Sequence, residues 1–192
     1  MRSFFGILAI SLLVLNSASA SPIRSKRMPI SEVIQFVNGV NEARRQAAKS
    51  LNVANVWKMQ WNDVLDTKVQ AIASSCSDIA SIRVGSDYRY MKLEGTDMSA
   101  QAAQLEMLGK ISEQSEEARK AALKHIDENP GSVIELGIPE QSSFACVEYN
   151  CGQQSLLCLI GPESSLINTD VKRGIAGTEC WSGKSEDGLC IQ

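Results

Sequence analysis

Phe144-Ala145-Cys146-Val147-Glu148-Tyr149-Asn150-Cys151 runs through Gly152-Gln153-Gln154 into Ser155-Leu156-Leu157-Cys158-Leu159-Ile160-Gly161-Pro162. Both halves are short and rich in β-formers, so Phe144 to Asn150 and Ser155 to Ile160 read as strands of a hairpin about the turn Cys151-Gly152-Gln153. Cys146 and Cys151 are five residues apart. On one extended strand that is ~16 Å and opposite faces, beyond the ~4.4–6.8 Å a disulfide spans between Cα atoms. If the hairpin is centred on Gly152, Cys146 and Cys158 lie six residues to either side of the centre and face each other. Cys151 is then free for Cys76, and Cys180 with Cys190 closes the tail. A shifted hairpin undoes this register, and six cysteines admit fifteen pairings on paper.

Upstream of the hairpin the periodicity is helical. Val33, Phe36, Val37, Val40, Ala43 and Ala47 recur at steps of three and four behind Ser31, a candidate N-cap, while Glu42, Arg44, Arg45 and Lys49 are expected to stay wet. A linker through Asn55 and Trp57 leads to a second cap, Asn62. Leu65, Val69, Ile72, Ala73 and Cys76 then continue one helical face, which turns Cys76 toward the core. Asp87 to Leu93 suits a strand. Ala100 to Asp127 reads as a long helix bent or broken near Gly109 and stopped by Asn129-Pro130-Gly131. From Gly161 onward the Gly- and Ser-rich chain reads as irregular.

Met1-Arg2, the apolar run Phe4 to Leu15 and Ala18-Ser19-Ala20 have the basic start, short apolar centre and small-residue cleavage site of a secretory signal peptide, expected to span 1–20. The expected product is exported, with no membrane span. All six cysteines follow that segment, which in an oxidising compartment reads as three disulfides. The segment 21–30 contains Arg24-Ser25-Lys26-Arg27 and reads as a basic solvated linker or a short propeptide cleaved by a basic-residue convertase. Of the 192 residues, 44% are hydrophobic and 21% charged, enough to bury a core in one domain. Nineteen Lys and Arg against 22 Asp and Glu give −3, and loss of Arg2 with the leader gives −4. That balance argues against nucleic acid as a partner. A single histidine, His125, excludes any site built on two imidazoles.

Four pieces of the chain resemble one family. Val40-Asn41-Glu42-Ala43-Arg44 is similar to the His-Asn-x-x-Arg that opens the first helix of the CAP superfamily, the cysteine-rich secretory, antigen 5 and pathogenesis-related proteins. Met59-Gln60-Trp61-Asn62-Asp63-Val64-Leu65, with Cys76 fifteen residues after Trp61, resembles the Met-x-Trp-Asp-x-x-Leu helix and its cysteine. The stretch from Phe144 to Cys151 and the one from Leu156 to Pro162 resemble the family's two cysteine-bearing strands. The variant looks most like the divergent secreted members abundant in nematodes. The resemblance implies an α+β fold, a three-layer α-β-α sandwich, over 31–170, with 171–192 as a cysteine-containing tail. The disulfide pairing that follows from the centred hairpin is also the family's.

The departures from the family fall in its central cleft, where other members use two histidines and acidic residues to bind a metal. Ala80, followed by Ser81, stands where a His-Ser is common, and Ser132 stands at the second histidine position with Glu135 at a glutamine position. The family's glutamate falls on Ser86 by motif or on Asp87 by count. These five residues, Ala80, Ser86, Asp87, Ser132 and Glu135, are the candidate cleft. One surviving carboxylate does not supply the three or four ligands that zinc requires, so no metal and no cofactor is expected.

The remaining candidates each have a plain structural reading. His125 as a general base competes with a cation placed near a helix C-terminus. Glu94, Asp97 and Glu106 as paired carboxylates compete with a solvated helix face. Trp57 and Trp61 as groove walls compete with core anchors. Met98, Leu105, Met107, Leu108 and Ile111 as a lipid cover compete with core packing. No Gly-x-Ser-x-Gly elbow occurs. The resulting expectation is a secreted, non-enzymatic CAP-like binding protein whose ligand is an extracellular protein or a lipid. The rival is an extracellular hydrolase with a metal-independent cleft.

Overall fold

A computed structural model describes residues 26–94 and 114–192. Within them the elements run β1 (Lys26–Arg27), α1 (Ile30–Ser50), β2 (Gln60–Trp61), α2 (Asp63–Ile72), α3 (Cys76–Ala80), β3 (Arg89–Glu94), α4 (Glu116–Glu128), a 3-10 turn (Val133–Gly137), β4 (Ser143–Asn150), β5 (Gln154–Gly161), β6 (Ser185–Glu186) and β7 (Leu189–Cys190). The part of the expected long helix before residue 114, with its break near Gly109, lies outside the described residues, as do 1–25.

β4 and β5 form the centre of the sheet. Their antiparallel register puts Cys146 opposite Cys158 and Asn150 opposite Gln154, which centres the hairpin on Gly152 at φ +100°. β3 pairs antiparallel with the far side of β5, and β1 and β2 both pair with β4. Because side chains alternate along a strand, this hairpin feeds two cores. Ala145, Val147, Tyr149, Leu157 and Leu159 face α2 and α3, meeting Leu65, Val69, Ala73 and Ile79. Phe144, Cys146, Cys158 and Ile160 face the other way, meeting Met59, Met91 and Val133, with Phe36, Val37 and Val40 of α1 packed against them. Helices cover both faces of the sheet, which gives the α+β sandwich.

Several local expectations are corrected. α1 begins at Ile30 behind Pro29, whose φ of −58° pre-sets a helical start, so Ser31 lies inside the helix and no side chain caps it. α2 does begin at Asn62, whose Oδ1 accepts from the Val64 and Leu65 amides, but it ends at Ile72. Cys76 therefore opens a separate helix capped by Ser75 and is half-buried rather than facing the core. The strand expected from Asp87 starts at Arg89. The basic segment is not wholly a solvated linker, because Lys26 and Arg27 pair with Glu148 and Val147 and Arg27 makes a 2.7 Å ion pair with the buried Asp66.

The chain after Gly161 is not simply irregular. β6 and β7 form a small hairpin, and Leu189 packs with Ala48, Val53 and Val56 in a core of its own. Three disulfides tie the molecule: Cys76–Cys151, Cys146–Cys158 and Cys180–Cys190. Among the described residues no helix is long and apolar enough to cross a membrane.

Candidate functional site

Two polar side chains of α1 organise the loops that surround the candidate sites. Asn41 is buried and bonds Met59 twice, Nδ2 donating to its carbonyl at 2.8 Å and Oδ1 accepting from its amide at 2.7 Å. Arg44 is also buried, against the expectation that it stays wet. Its guanidinium donates to the carbonyls of Trp57, Leu136, Ile138, Pro139 and Gln141, with Nε to Trp57 at 2.9 Å and Nη2 to Gln141 at 2.9 Å. Burial lowers its pKa to about 9, which leaves it charged at neutral pH. A single planar fork thereby pins the segment between the 3-10 turn and β4 to the loop before β2.

A second buried arginine, Arg89, enters from β3. Its Nε and Nη2 meet the two carboxylate oxygens of Glu135 at 2.6 and 3.0 Å, and Nη1 meets Asp127 at 2.7 Å. Nη1 and Nη2 also donate to the carbonyls of Ser164 and Ile126. Asp127 accepts in addition from the Leu166 amide at 2.7 Å. The cluster joins β3, α4, the 3-10 turn and the segment after β5. Burial pushes the Glu135 carboxyl upward, and the Arg89 fork opposes that. All five N–H donors of Arg89 and both carboxylate oxygens of Glu135 are engaged in holding the layers together.

Among the described residues, two surface cavities stand out, both small. One, of about 250 Å³, lies at the hairpin tip beside Tyr149, Gly152 and Ser155. The other, of about 200 Å³, is lined by Trp57, Glu140, Ser142, Pro162, Glu163 and Trp181. Both are below the ~300–1,000 Å³ usual for a drug-sized ligand.

No protein-family profile matches the sequence, and no curated protein matches it. Solved structures do. The hookworm platelet inhibitor superposes with a TM-score of 0.55 at 12% identity, over 84% of this chain and 86% of that one. NaASP2 with Zn2+ gives 0.53 at 16% identity, over 86% and 98%. Na-ASP-1 gives 0.52 at 18% identity over 87% of this chain, which spans 47% of that one. The fold is CAP-like.

On this CAP-like scaffold the five residues singled out from the sequence take up different environments. Ala80 ends α3 and is exposed, as is Ser86. Asp87 is exposed and bonds Lys68 at 2.5 Å, which holds its carboxyl below the usual range. Ser132 is half-buried, and its carbonyl accepts from the Glu135 amide at 3.2 Å. Glu135 is fully buried on Arg89. Asp87 and Glu135, the two acids of the set, thus serve separate ion pairs.

Among the described residues no group of three or more His, Cys, Asp or Glu is placed to hold a metal. His125 is exposed in the last turn of α4, with Asn129 Nδ2 3.4 Å from its Nδ1. Trp57 is buried, and Trp61 packs partly buried against both sheet cores. The side chain of Glu94, and all of Asp97, Met98, Leu105, Glu106, Met107, Leu108 and Ile111, lie outside the described residues.

Proposed function

We propose that the protein is a secreted, non-enzymatic binding protein that uses the CAP-like scaffold to present a recognition surface to an extracellular protein or lipid. The observation that carries this reading is the burial of Glu135 in a two-point ion pair with Arg89, while Asp87, the other acid of the set, pairs with Lys68 at the surface. A general acid or base needs a free carboxyl within hydrogen-bond reach of a substrate, and Glu135 has given both oxygens to one guanidinium. The apolar leader and the three disulfides support export.

The test is turnover of peptide and ester libraries by the purified, oxidised protein. The expected result is none above buffer. Hydrolysis that disappears in H125A or D87A would replace this reading with the extracellular hydrolase. Native mass spectrometry of protein taken from its producing organism then separates the two ligand classes, a retained lipid mass marking a carrier and a bare chain marking a protein-contact module.

A further inference from the structure

Trp181 is 78% exposed, an unusual position for the largest apolar side chain. It sits in the loop closed by Cys180–Cys190, and that loop is fixed to the body of the protein. The Cys190 amide donates to Val56 and the Lys58 amide donates to Cys190, both at 2.8 Å. This docking sets the Trp181 ring against Trp57, centroids 5.0 Å apart and planes tilted by 38°. Trp57 is the buried floor and Trp181 the open wall of the 200 Å³ cavity.

The lining of this cavity also carries charge. Glu140 and Glu163 both line the cavity, and no Lys or Arg does. Neither carboxylate has an ion-pair partner among the described residues. Glu140 is held by the segment that Arg44 clamps, since the carbonyls of Pro139 and Gln141 on either side of it both accept from that guanidinium. Glu163 is held by Gln141, whose side chain bonds the Glu163 carbonyl at 2.8 Å and its amide at 3.1 Å. The two acids thus stand on fixed backbone and line the same cavity as the indole of Trp181. Burial pushes the Glu140 carboxyl upward, a hydrogen bond from the Asp170 backbone opposes that, and the negative charges of Glu163 and Asp170 add to the rise.

We propose that this cavity binds an organic cation, an alkylammonium group that stacks on Trp181 and is neutralised by Glu140 and Glu163. Indole faces attract ammonium groups through their quadrupole, and paired carboxylates supply the counter-charge. The group can belong to a free small amine or to a lysine side chain on a peptide. The proposal deepens the binding reading above and rests on it. The two fail separately, because turnover of an ester or peptide sinks that reading whereas an unresponsive cavity sinks this one.

The experiment titrates the intact, disulfide-bonded protein with choline, with N-acetyl-lysine methylamide and with 3,3-dimethylbutan-1-ol, the neutral isostere of choline. Tryptophan fluorescence and the indole N–H resonances are followed. Saturable change with either cation, about millimolar in affinity, is expected, with no response to the alcohol. A stronger response to choline marks a free amine as the ligand source, and a stronger one to the lysine amide marks a peptide. Loss of Trp181, a largely exposed ring whose inner face meets Trp57, is expected to weaken binding ~5–30-fold in W181A. E163Q and E140Q should each weaken it as well. No response to either cation up to ~10 mM, an equal response to the alcohol, or unchanged affinity in W181A would overturn the proposal.

Discussion

Arg89 on β3 and Glu135 in the 3-10 turn form a buried two-point ion pair, Nε to Oε2 at 2.6 Å and Nη2 to Oε1 at 3.0 Å, with side-chain exposures of 1% and 0%. The residue that the CAP resemblance places at the family's cleft position is therefore a structural strut. Removing one partner strands the other charge in the interior, so R89A or E135A should each lose about 3–5 kcal/mol in urea unfolding. Replacing both with apolar residues of similar size, R89M/E135L, should recover much of that loss. Equal losses for the single and double variants would show that the pair is not what holds these layers.

Arg44 should be equally intolerant of change. Each buried carbonyl left without a donor costs about 1–3 kcal/mol, and a lysine ammonium cannot replace a planar fork spread over five carbonyls. R44K is expected to destabilise by about 2 kcal/mol or more, and to slacken the segment bearing Glu140. Hydrogen exchange of the amides from 136 to 142 reads that slackening directly.

Arg44 and Arg89 are two residues whose roles residue type alone misstates. The hairpin was legible because its apolar residues alternate on both faces around Gly152, and α2 was legible because Asn62 caps a clear periodic run. Charge alone points Arg44 toward solvent, yet Val37, Val40, Asn41, Arg44 and Ala48 form one continuous helical stripe, and position on that stripe decides burial. Arg89 carried a similar signal, since it is in phase with the buried Met91 on β3. Their carbonyl and carboxylate partners lie far along the chain, and no local pattern records such pairings. The dispersal of Asp87 and Glu135 was hidden for the same reason, because Lys68 and Arg89 claim them only in three dimensions.

The disulfides should contribute in order of the loops they close. Cys76–Cys151 spans 75 residues and Cys146–Cys158 spans 12. Constraint of the unfolded chain alone gives about 4.5 and about 2.8 kcal/mol respectively. C76A/C151A should therefore lower the urea midpoint more than C180A/C190A, whose loop spans 10. The reverse order would indicate that strain or packing outweighs chain entropy here.

Glu140 gives a pH signature. Its folded-state carboxyl lies above the ordinary value of 4.5, chiefly through burial, with Glu163 and Asp170 adding like-charge repulsion. Such a group holds its proton more tightly when folded, so its stabilising share is complete below pH 4.5 and is lost as pH rises through the raised value. E140Q, which cannot ionise, should match the parent at low pH and exceed it near neutrality. Thermal melts of the two proteins across pH 4 to 8 check the sign, and a stability gap that shrinks on raising the pH would refute it.

The most direct measurement is native mass spectrometry of the oxidised protein after incubation with zinc, alongside E135Q. If the candidate cleft's acids serve as struts, the spectrum should show a chain six hydrogens lighter than the fully reduced one, from three disulfides, with no stoichiometric metal at neutral pH. One tightly held zinc per chain, lost in E135Q, would contradict the account.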